Sequence, residues 1–224
     1  MMLSRLKKMF RSAVLFNDLH RITPISSVFG LDRGTPIDRY YIEQFLSQQR
    51  SCISGRVTEI GGDSYTRQYG TGVTHSNVLQ TTPGSGITIV GDLTDCTTLP
   101  LGGADCFICT QTLNFIYDLP AAVLGIHHLL APGGTLLATV AGISQVSRYD
   151  MDRWGDYWRF TTASLAKLFA VFPWEDLHIE SHGNVLAATS FLQGIAVEDL
   201  PEPKLLDKQD VDYQVLLTVV ARKR

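Results

Sequence analysis

The stretch VTEIGGDSYTRQYG, Val57 to Gly70, passes from a β-branched apolar run into an acid, two adjacent glycines and a polar turn. Gly61 and Gly62 permit a tight turn and close backbone approach, and a helix starting beyond them offers unpaired N–H groups to a polar or anionic ligand. The spacing is not that of the dinucleotide fingerprint G-x-G-x-x-G, since after Gly62 the next glycine is Gly70, and this disfavours a nicotinamide or flavin dehydrogenase. Taken alone, the stretch reads equally as a ligand loop and as an ordinary strand-to-helix turn.

Outward from it, strands and helices alternate. Upstream, PIDRYYIEQFLSQQ reads as a helix with Pro36 at its start and Ile37, Tyr40, Tyr41 and Phe45 on one apolar face. GRVTEIG is a first strand, GTGVTHSNVL contains a second, GITIVGDL is a third, and ADCFICTQT a fourth. LPAAVLGIHHLLAPGG reads as a helix ended by Pro132, Gly133 and Gly134, with TLLATVAG as a fifth strand. TTASLAKLFAVF is a helix capped by Thr161 or Thr162, DLHIESHG a sixth strand, NVLAATSFLQGIA a helix and DYQVLLTVVARKR a seventh strand. Such alternation predicts one α/β domain whose largely parallel sheet is covered on both faces.

The totals agree with one soluble globular domain. The chain has 224 residues, 45% hydrophobic and 18% charged, with a net charge of -3. Its nineteen Lys and Arg are dispersed, so no nucleic-acid footprint is expected. No apolar run reaches the roughly 20 residues that span a bilayer, and no transmembrane segment is expected. Leu3, Leu6, Met9 or Phe10, and Ala13 fall at helical spacing among basic residues. They suggest an amphipathic helix that docks on the domain or lies on an anionic membrane surface. Cys106 and Cys109 form a Cys-x-x-Cys, but three residues apart in a strand they point to opposite faces. Free thiols in a reducing, cytoplasmic setting are expected, and no cluster has metal-ligand spacing.

In an open parallel sheet, ligands bind beyond the carboxyl ends of the strands. EIGGDSYT closes the first, GDLTDCTTLP the third, and Thr110, Gln111 and Thr112 the fourth. LLAPGGTLLATV covers the entry to the fifth. In this order, the motifs resemble those of the class I S-adenosylmethionine-dependent methyltransferases over roughly residues 55–223. DRWGDYWRFT and DRGTPIDRYYIEQFL narrow the likeness to small-molecule enzymes of bacterial glycan and natural-product biosynthesis. The resemblance implies a Rossmann-like, doubly wound seven-stranded sheet, mostly parallel with an antiparallel last strand. A helical segment over 1–54, lid or docking element, precedes the methyltransferase domain of 55–224.

By that resemblance S-adenosylmethionine contacts Glu59, Gly61, Gly62, Asp63 and Tyr65 at the first strand, Asp92 and Leu93 at the third, and Thr110 and Gln111 at the fourth. The family commonly ends its second strand in an acid that holds the ribose. Here VTHSNVLQ has none, leaving His75, Ser76 or Asn77, of which Asn77 is the candidate.

Methyl transfer asks the protein mainly to align nucleophile, carbon and leaving sulfur, and to remove a proton where needed. SRYDMDRWGDYWRFT supplies Tyr149, Trp154, Tyr157, Trp158 and Arg159 as substrate-binding candidates and Asp150 and Asp156 as bases. The same segment also reads as an aromatic cluster closing the core with Asp156 and Arg159 paired. His182, in ESHGN, is a third candidate base. The function expected is methyl transfer from S-adenosylmethionine to O or N of a small-molecule polar acceptor such as a sugar or glycosylated metabolite, and a homodimer is compatible with the chain. The alternative is a protein of this fold without methyl transfer, a binding partner of a biosynthetic enzyme or a cofactor-independent catalyst.

Overall fold

The structure, a computed structural model, describes residues 20–224. The N-terminal amphipathic pattern lies outside the described residues. Helix α1 (Ile37–Gln48) follows Pro36 and buries Ile37, Tyr41, Ile42, Phe45 and Leu46, a 3.6-residue stripe. Tyr40, expected on that face, packs its ring partly buried against the same cluster and donates its hydroxyl to Asp207 at 2.7 Å. Strand β1 (Gly55–Ile60) leads through the glycines into α2 (Ser64–Tyr69), and β2 (Val73–Gln80) and β3 (Ile89–Val90) follow. The third strand is far shorter than the sequence suggests. Beside it, Thr88 gives its N–H to the Val78 carbonyl at 3.1 Å, and its hydroxyl rather than a backbone carbonyl accepts the Val78 N–H at 2.8 Å.

Strand β4 (Ala104–Thr110) precedes α3 (Leu119–Leu129), which begins at a cap where Asp118 accepts the Ala121 N–H. Strand β5 (Leu130–Ala141) starts directly from that helix. Pro132, Gly133 and Gly134 therefore do not end the helix as expected. They form a bulge inside β5, where Ala104 pairs Leu130 but Cys106 pairs Thr135. The glycines are needed there, because Gly133 has φ +75° and a Cβ on Gly134 would press on the carbonyls of Ala104 and Ala131.

A short helix α4 (Arg148–Met151) then precedes α5 (Thr162–Phe169), whose N-terminus is closed by a reciprocal box between Thr161 and Ser164. Strand β6 (Trp174–His182), helix α6 (Val185–Gln193) and strand β7 (Leu216–Lys223) complete the chain. All seven strands form one sheet in the order β3-β2-β1-β4-β5-β7-β6, and β7 is antiparallel to both neighbours. The seven-stranded, doubly wound expectation is met.

Side chains alternate across β4 so that Phe107 and Cys109 pack in a cluster with α3 and α5, whereas Cys106 and Ile108 pack with α1 and α6 on the other face. The four cysteines are free. No helix among the described residues is long and apolar enough to cross a membrane. Strand order reverses between β1 and β4, which opens a crevice at their carboxyl ends.

Close packing of α3 is checked at Gly125, which is buried against the backbone carbonyl of Leu93. Gly125→Ala should cost about 1–3 kcal/mol, read as a Tm lowered by about 2–4 °C per kcal/mol. Gly84→Ala, whose new methyl meets only an ordinary contact, should leave Tm within about 2 °C.

Candidate functional site

A cleft of about 810 Å³ lies over the carboxyl ends of β1, β4 and β5. Its floor is the glycine turn. Gly61 adopts φ +82°, and a Cβ added at Gly62 would meet no atom within 4 Å outside its chain neighbours. The backbone is therefore bare toward the cleft, as a closely approaching ligand requires.

Glu59, next to the end of β1, is almost fully buried. It accepts the N–H of Thr66 and its hydroxyl, both at 2.7 Å, and the N–H of Tyr65 at 3.2 Å. Burial raises its pKa, against those three hydrogen bonds. Asp63, next in the turn, faces sideways into an ion pair with Arg67 at 2.6 Å. Tyr65 is half-buried, lies on Tyr69 with ring centroids 6.3 Å apart, and lines the cleft.

Thr110 and Gln111 come from the end of β4. Gln111 has φ 47°, an uncommon conformation for a residue with a side chain, held by its N–H to the Thr139 carbonyl at 2.8 Å. Its side chain bridges two neighbours: Asn114 donates to its Oε1 at 3.4 Å, and its Nε2 donates to Asp38 Oδ2 at 3.4 Å. Asp38, in the first turn of α1, also accepts the Arg39 N–H at 2.8 Å. Burial pushes the Asp38 carboxyl up to about 6, against the Arg39 N–H and the Arg39 charge.

The segment after β5 forms the opposite wall, with Ser144, Gln145, Ser147, Arg148, Tyr149 and Asp150. Asp156 anchors it from beneath. Its side chain is 1% exposed and pairs with Arg159, accepting from Nη2 at 2.9 Å and from the Ser147 N–H at 2.8 Å. Arg159 Nη2 also donates to the Gln145 carbonyl at 2.6 Å. Burial opposes the Asp156 charge, but the hydrogen bonds of Arg159 and Ser147 and the Arg159 charge outweigh it and hold the carboxyl below its usual range. Asp150 accepts the Ser147 hydroxyl at the start of α4.

Thus Glu59, Gly61, Gly62, Tyr65, Thr110, Gln111, Tyr149, Asp150, Asp156 and Arg159 meet around one cleft. Other sequence candidates lie elsewhere. Asn77 sits in mid-strand, paired with Thr58; the end of β2 is Gln80, whose Nε2 is 3.5 Å from the Gly61 carbonyl. Asp92 accepts the N–H and hydroxyl of Thr94, both at 2.8 Å, as a turn cap, and Leu93 is buried in the core. Trp154 and Tyr157 are exposed, and Trp158 stacks on Tyr117 while donating Nε1 to the Ile116 carbonyl at 3.1 Å. His182 faces a second cleft beside Tyr40, Glu180 and Asp207, stacked on Tyr41 and 3.0 Å from Thr218 Oγ1. Burial lowers its pKa, against the Glu180 charge.

Sequence reasoning passed over Asp38, Asn114, Gln145 and Gln80. Asp38 carried one signal, an acid at the start of the helix preceding β1.

No protein-family model matches the chain, and no curated protein matches it. Solved structures do resemble it. An S-adenosylmethionine-dependent methyltransferase from Mesorhizobium loti superposes with a TM-score of 0.54 at 18% identity, covering 87% of this chain and 100% of that one. The N-methyltransferase NodS from Bradyrhizobium japonicum, in complex with S-adenosyl-L-homocysteine, gives 0.51 at 15%, covering 93% and 97%. A possible histamine N-methyltransferase from Thermotoga maritima gives 0.52 at 16%, covering 84% and 91%. The fold is that of the S-adenosylmethionine-dependent methyltransferases.

Removing one partner of the clasp should expose its weight. Asp156→Ala strands the Arg159 guanidinium and should cost about 3 kcal/mol in denaturant unfolding. Because folding depresses the Asp156 pKa, its contribution is complete above the unfolded value of about 3.9 and is lost as pH falls through the folded value. The wild-type advantage over the variant should hold from pH 7 to 5 and shrink below about pH 4.

Proposed function

We propose that the cleft binds S-adenosylmethionine and that the protein moves its methyl group to an O or N atom of a small polar acceptor, such as a sugar, glycan precursor or glycosylated metabolite. The observation that carries this reading is the bare turn at Gly61 and Gly62, set at the switch point of a methyltransferase-type sheet. The residues present fit the group. Clear space stands over Gly62, the β1 and β4 ends converge on it, and Gln80 offers an amide where related sites use an acid. When bound, S-adenosylmethionine supplies an electrophilic methyl on a sulfonium.

Glu59, Gly61, Gly62, Thr110 and Gln111 would hold it, with Tyr65 as one wall. The chain's own part in the chemistry is alignment. Tyr149, Asp150 and Arg148 on one wall and the first turn of α1 on the other leave room for an acceptor between them. A fixed in-line approach converts an encounter into an effectively unimolecular step. A second reading, a protein of this fold without methyl transfer that acts as a binding partner of a biosynthetic enzyme or as a cofactor-independent catalyst, draws on Glu59, whose carboxylate already serves its own helix through three hydrogen bonds.

Calorimetric titration with S-adenosylhomocysteine tests the first reading, and saturable one-site binding is expected. Gly62→Val fills the open space and should weaken that binding by about 10-fold or more with Tm unchanged. Absence of binding to folded wild-type protein overturns the reading. Transfer of labelled methyl to any acceptor excludes the second reading, and binding without such transfer leaves only its binding-partner form.

A further inference from the structure

We infer that Asp38 is the base of the cleft and that the acceptor reaches it as a protonated amine. This rests on the methyl-transfer reading above and names its substrate class. A base for this chemistry must border the cleft, keep an oxygen for the substrate and be held in place. Among the cleft carboxylates, Glu59 caps α2 with both oxygens, Asp156 is enclosed by Arg159 and Ser147, and Asp150 is held at one oxygen only, by the Ser147 hydroxyl at the start of the four-residue α4. Glu43 lies further along α1, beside Tyr65 and Tyr69. Asp38 differs. One oxygen accepts a neighbouring N–H at 2.8 Å, and the other faces Gln111 Nε2 across a long 3.4 Å.

Gln111 is the positioning residue. Asn114, 3% exposed, accepts the Ala141 N–H on its Oδ1 and gives its NH₂ to Gln111 Oε1. With its oxygen engaged there, the Gln111 amide must present its NH₂ to Asp38. The carboxylate is thereby tied, through two amides, to the ends of β4 and β5.

The charge of the cleft selects the acceptor. Asp38 is faced by Arg39 and Glu43 on its own helix, by Glu59 and Tyr65 from the glycine turn and α2, and by Arg148 and Asp150 across the opening. With Asp156 and Arg159 paired, four carboxylates confront two guanidinium groups. A cation is favoured there. An ammonium of ordinary pKa near 10 also lies much closer to a carboxyl raised to about 6 than a hydroxyl does. Asp38 takes one N–H proton and becomes neutral. The freed nitrogen pair forms the new C–N bond as the C–S bond breaks, and that electron pair remains on sulfur, which leaves as a thioether.

Carboxyl-¹³C NMR of the whole protein reads Asp38 directly, with its resonance assigned by loss in Asp38→Asn. Asp38 should titrate near 6, and glucosamine, the ammonium probe, should shift its resonance and lower that value, while glucose at the same concentration should not. Titration in the ordinary carboxylate range with no response to glucosamine, or an equal response to glucose, overturns the inference. Labelled methyl transfer to small amines, glucosamine included, should exceed transfer to their N-acetyl counterparts and should fall below pH about 6. In Asp38→Asn, kcat should drop by about 100-fold or more and lose that pH limb, and Asp38→Glu should restore part of the rate. Transfer at equal rate to the N-acetyl compounds, or to none of the amines by protein that binds S-adenosylhomocysteine, overturns it. Should glucosamine shift Asp38 while S-adenosylhomocysteine fails to bind, the base assignment and the methyl-transfer reading fall together and a cation subsite is what stands.

Discussion

The site depends on a carboxylate buried at the end of a strand. Glu59 lies next to the end of β1 and at the same time accepts the N–H groups of Tyr65 and Thr66 in the first turn of α2. A helix start leaves such donors unpaired, and a negative charge beside them is favoured by the helix dipole. With the two ends of the turn tied to each other, the five residues between Glu59 and Tyr65 have one course to follow. Gly61 takes the positive φ that this course demands, and Gly62 is left facing open space. Burial works against the Glu59 charge, and the hydrogen bonds that hold the turn offset part of that cost.

The opposite wall is fixed by a similar device on a longer loop. The Asp156 and Arg159 pair reaches the backbone of Ser144, Gln145 and Ser147, so a stretch with few regular hydrogen bonds is stapled over the β5 end. A buried ion pair seldom adds net stability over an apolar substitute. Its value lies in direction: planar guanidinium and carboxylate groups fix where the loop passes. Tyr149 and Asp150 are carried on that loop. One wall is thus set by a helix cap and the other by an ion pair, and the cleft width follows from both.

Much of the fold was legible because strand and helix periods were clean, and because the switch point follows from the order of strands. The bulge at Pro132–Gly134 was not. Pro and Gly end helices and interrupt strands by the same loss of N–H and gain of backbone freedom, and local sequence does not distinguish the two. At the site, the glycine turn and the β4 end were legible as strand ends. Asn77 was mistaken for one, since β2 continues three residues further to Gln80. His182 does end a strand on the cleft side. However, β7 inserts between β5 and β6, and at about 4.8 Å per strand this carries His182 some 10 Å beyond β5. Such an insertion is a long-range pairing that no local pattern encodes. The same is true of the Asp38 to Gln111 contact, which joins residues 73 positions apart.

The polar residues of the turn decide whether lost glycines close a site. Asp63 swings aside to Arg67, Ser64 is exposed at the rim, and Tyr65 settles between Tyr69 and the α1 side of the core. Neither Ser64 nor Tyr65 comes within 4 Å of a Cβ built on Gly62, and Asp63 is drawn to Arg67. A turn can therefore shed glycines at positions whose side chains leave sideways, so long as the residue with positive φ and the residue of closest approach remain small. This makes the glycine count a poor measure of the loop and the direction of each Cβ the better one. By that measure the turn is open, and the side chains that replaced glycine build the wall next to Asp38 rather than a plug.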